Sequence, residues 1–194
     1  MAETTRARLE QGLISLLQKK PLRHIHVQDI AQESGLTRQV FYRYFHTRDD
    51  LIHWIYMKDF TTAFVGKTTV SWNEMILIMM QTLKNRAPFY QQLVRHRDDN
   101  TLYRIMRAYT ENLYRRIIFY HTGHKPDPHT EFFLQFYTSG GIEMSIDWVR
   151  GGMKRPSEEF FAWLLEAMSP TLREQLIGFS IPVSLIPDPK EEVL

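Results

Sequence analysis

The chain has 194 residues, 43% of them hydrophobic and 24% charged, which suits a soluble protein with a sizeable core and excludes a disordered one. It has no cysteine, which excludes disulfides and thiolate metal sites, and a net charge of only +2, which argues against indiscriminate coating of DNA. No apolar run is long enough to cross a bilayer, and Arg6, Arg8 and Glu10 precede any apolar stretch, so no signal peptide and a cytoplasmic location are expected.

Helical spacing starts at once. Leu9, Leu13, Leu16 and Leu17 form the buried stripe of a first helix over residues 5–19, stopped by Pro21. A second is expected over 27–34, with Val27, Ile30 and Ala31 inward, and a third over 38–45. A fourth, from residue 47 or 48 to 66, is long enough to join this first unit to the rest of the chain. Ser71 and Glu74 match a capping box for a helix ending near residue 86. Pro88 suits the first turn of a short helix reaching residue 94. Leu102, Ile105, Met106, Tyr109, Leu113 and Ile117 mark a long amphipathic helix, followed by a loop over 121–129. A further helix is expected over 130–150, and Gly151 and Gly152 end it. Another comes after it, capped by Ser157, and a short one begins at Pro170. No strand-type alternation persists. The fold class is all-α: a helix-turn-helix unit over residues 1–48, a larger helical unit over 49–180 for regulation and dimerisation, and an extended or disordered tail over 181–194.

The region from residue 29 to 51 carries the most chemistry. Gly35 can take the left-handed conformation that ends the second helix, and Thr37 can cap the third. At about 100° per residue the third helix has two faces. Phe41, Tyr44 and Phe45 fall on one. Arg38, Gln39, Tyr42, Arg43 and His46 fall on the other, and residues 36–48 hold three arginines and no acid. A face of donors, fixed positive charge and one aromatic ring suits the major groove of DNA.

Val27-Gln-Asp-Ile-Ala-Gln-Glu-Ser-Gly35, Thr37-Arg-Gln-Val-Phe-Tyr-Arg-Tyr-Phe45 and Thr47-Arg-Asp-Asp-Leu51 resemble the DNA-binding domain of the TetR/AcrR family of transcriptional regulators. The resemblance covers about the first third of the chain. Residues 140–168 look like the last two helices of such regulators, and like the subgroup of dihydroxyacetone kinase operon activators. The resemblance implies a homodimer on a near-palindromic double-stranded DNA operator, with a C-terminal unit that senses a small molecule. By position it puts Thr37, Arg38 and Gln39 nearest the base edges, with Arg38 able to donate two bonds to guanine. Gln39 stands where the family often has glycine, so operator preference does not carry over. Tyr42 matches a phosphate-contacting tyrosine, and Arg48 a lysine that contacts phosphate at the start of the fourth helix. With Gln28, Arg43, His46 and Thr47 these complete the candidate DNA contacts.

Phe89, Tyr90, Met106, Tyr109, Phe133, Phe136 and Tyr137 are the candidate lining of an apolar ligand pocket, set against the simpler reading of a helical core. Gly140, Gly141, Met144, Trp148, Phe160 and Leu164 are candidates for the dimer surface, since paired glycines inside a helix suit close helix contact. His121, His124 and His129 beside Asp127 fit no standard metal-ligand spacing, so a solvated loop and no metal are expected. No cofactor is expected. No nucleophile–base pair, phosphate loop or carboxylate pair points to an enzyme. The leading expectation is a dimeric repressor released by a ligand; the alternative is an activator, or a regulator controlled by a protein partner.

Overall fold

Helix α1 (Ala2–Lys19) is the first of ten α-helices among residues 2–96 and 99–188, which the computed structural model describes. Its leucine stripe is fully buried against α2 (Val27–Glu33). The two helices approach closely because residue 12 is glycine: a Cβ there would lie 2.2 Å from the Ser34 hydroxyl oxygen. Gly35 then turns the chain with φ of 62°.

Helix α3 (Arg38–Tyr42) is shorter than its periodicity suggests. The turn continues past it, the amides of Tyr44 and Phe45 both donating to the Phe41 carbonyl. Helix α4 (Arg48–Ala63) opens with a reciprocal cap. The Thr47 hydroxyl accepts from the Asp50 amide at 3.1 Å, and the Asp50 carboxylate accepts from the Thr47 amide at 2.8 Å. Such caps are worth about 1 kcal/mol and fix where the helix begins. Leu51, Ile52, Ile55, Tyr56, Met57 and Phe60 are all buried along α4, so one helix packs into both ends of a continuous apolar core.

Beyond it lie α5 (Trp72–Asn85), α6 (Ala87–Leu93), α7 (Thr101–Thr122), α8 (Pro128–Arg150), α9 (Ser157–Glu166) and α10 (Pro170–Leu176). Ser71 caps α5, accepting from the Glu74 amide, while the Glu74 carboxylate pairs with Lys67. Helix α7 runs into the expected loop and ends where Gly123 takes a φ of 76°. Asp127 caps α8. Ser157 is no cap: Pro156 occupies that position, and the Ser157 hydroxyl is buried without a partner.

One short antiparallel pairing joins β1 (Thr69–Val70) to β2 (Ile181–Pro182), too brief to leave an alternating pattern in the sequence. The expected tail is therefore extended only at its start. A 3₁₀ turn at Val183–Leu185 comes next, Ile186 and Pro187 are buried, and the Thr61 hydroxyl on α4 donates to the Pro187 carbonyl at 3.2 Å. The remaining tail positions, 189–194, lie outside the described residues. No helix among the described residues is long and apolar enough to cross a membrane.

Candidate nucleic-acid interface and regulatory elements

The face of α3 is built from its buried side outward. Phe41 and Phe45 sit in the core with ring centroids 5.8 Å apart, and Phe45 packs against Trp54 of α4. That anchoring turns Arg38, Gln39, Tyr42 and Arg43 to solvent. Thr37 accepts from the Val40 amide at 3.3 Å, setting the start of the helix. Arg8 of α1 donates to the carbonyls of Ser34 and Gly35 and so fixes the turn ahead of it.

The exposed side chains of Gln28, Arg38, Gln39, Arg43 and His46 hold no hydrogen bond or ion pair among the described residues. Tyr42 is 46% exposed, its ring standing edge-on to Phe41. Thr37 and Thr47 are exposed at the two helix starts on this side, each hydroxyl accepting one backbone bond and free to donate another. A surface of unengaged donors held on a rigid base can hydrogen-bond base edges and phosphates. Tyr44 is half-buried, with the Arg6 guanidinium 5.6 Å above its ring, so it belongs to the packed side.

Arg48 differs from the others. Its guanidinium donates to the carbonyls of Leu22, at 2.6 Å, and Ile25, at 3.3 Å, and pairs with Asp49 at 3.0 Å. It ties α4 to the segment that precedes α2, a structural role beside the phosphate contact expected of it. Asp49 was not marked by the sequence. One of its oxygens binds Arg48, and the other accepts from Arg104 and Thr101 at the start of α7.

A second junction joins α1 to the larger unit. Glu10, 4% exposed, receives Lys58 of α4 and the Arg86 guanidinium at 2.9 Å. Arg86 also binds Asp59 at 3.0 Å, and the Tyr90 hydroxyl donates to Asp59 at 2.9 Å. Burial raises the Asp59 carboxyl pKa, partly opposed by Arg86 and Tyr90. A buried cluster of this kind costs much to break, since removing one member strands the others.

A cavity of about 80 Å³ lies inside the larger unit. Tyr56 and Phe60 of α4 form one wall, facing methionines of α5 and α7 and the stretch of α8 around Thr138 and Gly141. Of the candidate pocket residues, Met106 and Tyr137 line it. The other five do not border it. Phe89 and Tyr90 are buried beside the Asp59–Arg86 cluster, and Tyr109 packs behind Tyr56 and Phe60. Phe133 stands edge-on to His129 and Phe136 is 72% exposed.

The candidate dimer residues also divide. Gly140 faces open space and Met144 is half-exposed. Gly141 and Leu164 meet at the cavity instead. Trp148 and Phe160 stack on each other at 5.2 Å and are buried within the chain, so they leave little apolar area for a partner. The sequence reading missed Phe132 and Trp163, which are 62% and 50% exposed. Phe132, Phe136, Gly140 and Met144 recur every four residues, making one solvent-facing stripe along α8. Of the histidine loop, the His121 ring stacks on Phe179, and no cluster of metal-binding side chains occurs among the described residues.

Two family models match this architecture. One, described as bacterial regulatory proteins, tetR family, covers residues 12–55, and one described as transcriptional regulator C-terminal region covers residues 70–169. The chain is 30% identical over 79 residues to the HTH-type dhaKLM operon transcriptional activator DhaS of Lactococcus lactis subsp. lactis (strain IL1403). That match spans 40% of this chain and 42% of the relative, less than half of either. The structure of a dihydroxyacetone kinase operon activator DhaS superposes with a TM-score of 0.58 at 21% identity, over 89% of this chain and 96% of that one. A TetR transcriptional regulator from Rhodococcus sp. RHA1 does so with a TM-score of 0.51 at 16% identity, over 87% of this chain and all of that one. At such identities the structures share the fold.

Proposed function

Since the chain belongs to the TetR family of DNA-binding transcriptional regulators, we propose that it is a dimeric repressor whose hold on a near-palindromic operator is released by a small molecule. The observation that carries this reading is the position of α4. Its first turn holds the segment before α2 through Arg48, and its second half walls the cavity with Tyr56 and Phe60. A ligand that prefers a displaced α4 weakens operator binding by that preference, and by no more.

Arg38 and Gln39 are the proposed base readers; Gln28, Thr37, Tyr42, Arg43, His46 and Thr47 surround them as backbone contacts, supported by their exposure. The stripe of Phe132, Phe136, Gly140 and Met144, with Trp163 of α9, supports pairing of two copies through α8 and α9. Residues 1–48 then serve as the reading unit and 49–180 as the sensing and pairing unit, with α4 shared in its effect between them. A dimer covering two half-sites blocks that DNA for other proteins, so occupancy alone suffices for repression.

A second reading is favoured by one observation: the Lactococcus relative is named an activator. Transcription in a purified system separates the two. With the bound site placed over the promoter, added protein should lower transcript output. A rise in output from an upstream site would replace repression with activation.

A further inference from the structure

Among the described residues, Thr138 carries a buried hydroxyl at the cavity that lacks a partner. Thr138 is 2% exposed and its Oγ1 has no hydrogen bond. The phenols of Tyr56 and Tyr114, 1% and 5% exposed, also line the space and make ring contacts but no hydrogen bond among the described residues. Burial pushes both phenols well above their usual pKa, so both stay protonated donors at neutral pH. Leaving a buried hydroxyl unsatisfied is costly, and native interiors rarely tolerate it. Two other polar groups at the wall are already used: the Tyr137 hydroxyl donates to the Leu164 carbonyl at 3.0 Å and Ser145 to the Gly141 carbonyl at 2.7 Å.

No charged side chain lines the cavity. A carboxylate or phosphate inside would be desolvated without a counter-charge, which disfavours its binding. A cavity of about 150 Å³ admits benzene, so the 80 Å³ here suits a smaller molecule, and one of similar size only as the Met79, Met80 and Met106 walls shift.

We infer that this cavity takes a small uncharged, mainly apolar molecule carrying one oxygen acceptor, held by donation from two of the Tyr56, Tyr114 and Thr138 hydroxyls. The inference rests on reading the cavity as the effector site and adds the chemical class of the effector. Tyr56 makes the device directional, because the donor that finds a partner sits on α4 itself.

The test uses three probes of equal non-hydrogen atom count on the full chain by calorimetry: cyclopentanone, methylcyclopentane and the carboxylate butyrate. Cyclopentanone should bind saturably and about tenfold more tightly than methylcyclopentane, with no binding of the carboxylate. Thr138→Val and Tyr114→Phe, each checked for unchanged helicity, should shrink the ketone's advantage severalfold. Gly141→Leu, which projects a side chain toward Leu164 and the cavity, should abolish binding of both neutral probes. Carboxylate binding equal to the ketone's, or no binding by any probe, would overturn the inference. Operator affinity measured in the same samples keeps the two claims apart. Ketone binding that leaves operator affinity unchanged supports the ligand class while removing the release mechanism.

Discussion

The Arg104 guanidinium in the first turn of α7 lies 2.8 Å from the Asp49 carboxylate in the first turn of α4. The same Asp49 oxygen accepts from Thr101, and its other oxygen holds Arg48, which in turn holds the carbonyls ahead of α2. A short chain of polar contacts thus connects the helix carrying Met106 and Tyr114 to the segment that positions the recognition helix. Removing Asp49 cuts it at the middle. Asp49→Ala is expected to speed hydrogen exchange in the first turn of α4 and at residues 22–26, and to weaken operator binding by about 1 kcal/mol. Exchange unchanged at both places would detach this junction from positioning of the DNA-binding unit.

Arg38 should act on sequence and not only on charge. Arg38→Ala is expected to cost about 1–3 kcal/mol on the operator and much less on random DNA, measured by fluorescence anisotropy at one salt concentration. Equal losses on the two DNAs would reassign Arg38 to a phosphate.

Arg43 and Arg48 should separate cleanly. Arg43 is exposed and unengaged, so Arg43→Ala should lower the slope of log affinity against log salt by about 1 while leaving thermal stability unchanged. Arg48→Ala should leave that slope intact and lower Tm by several degrees, because three oxygens each lose a donated bond, two of them bonds that tie α4 to the segment before α2. The reverse pattern would return Arg48 to the DNA backbone.

Arg48 also shows what the sequence could not reveal. The turn at Gly35, the cap at Thr37 and the two faces of α3 depend on residues within a few positions of one another, and they were readable. The partners of Arg48 lie 23 and 26 residues earlier, and a motif position carries no sign of them. The cavity was hidden for a related reason. Helical spacing identifies an inward stripe, but which inward residue borders a void depends on how five helices meet. Met106 and Tyr137 were found; Tyr56, Tyr114 and Thr138 were not. On α8 the periodicity marked Trp148 as apolar without showing that Phe160 of the same chain covers it, while Phe132 was left out.

His53 on α4 gives a pH dependence. Burial lowers its pKa below the usual 6.5, with Asp50 opposing. Between that lowered value and 6.5 the unfolded chain binds more proton at this site than the folded one. The stability it contributes is therefore complete above pH 6.5 and declines as the pH drops through that window. His53→Gln should flatten the fall in Tm between pH 7.5 and pH 5.5 in scanning fluorimetry. An identical fall in both proteins would assign the pH dependence to other groups.

The stripe on α8 makes an equally direct test of pairing. Phe136 is 72% exposed, so Phe136→Glu should preserve helicity while shifting sedimentation from dimer to monomer at micromolar concentration. An unchanged dimer would place the interface elsewhere.

The central claim is that two α3 helices, each presenting Arg38 and Gln39, read two half-sites of one operator. Selection of bound sequences from a random DNA pool tests specificity, symmetry and spacing together. The expected outcome is an enriched inverted repeat whose symmetric positions lose their preference in Arg38→Ala. Enrichment of no sequence, or of a lone half-site with no symmetric mate, would contradict the account.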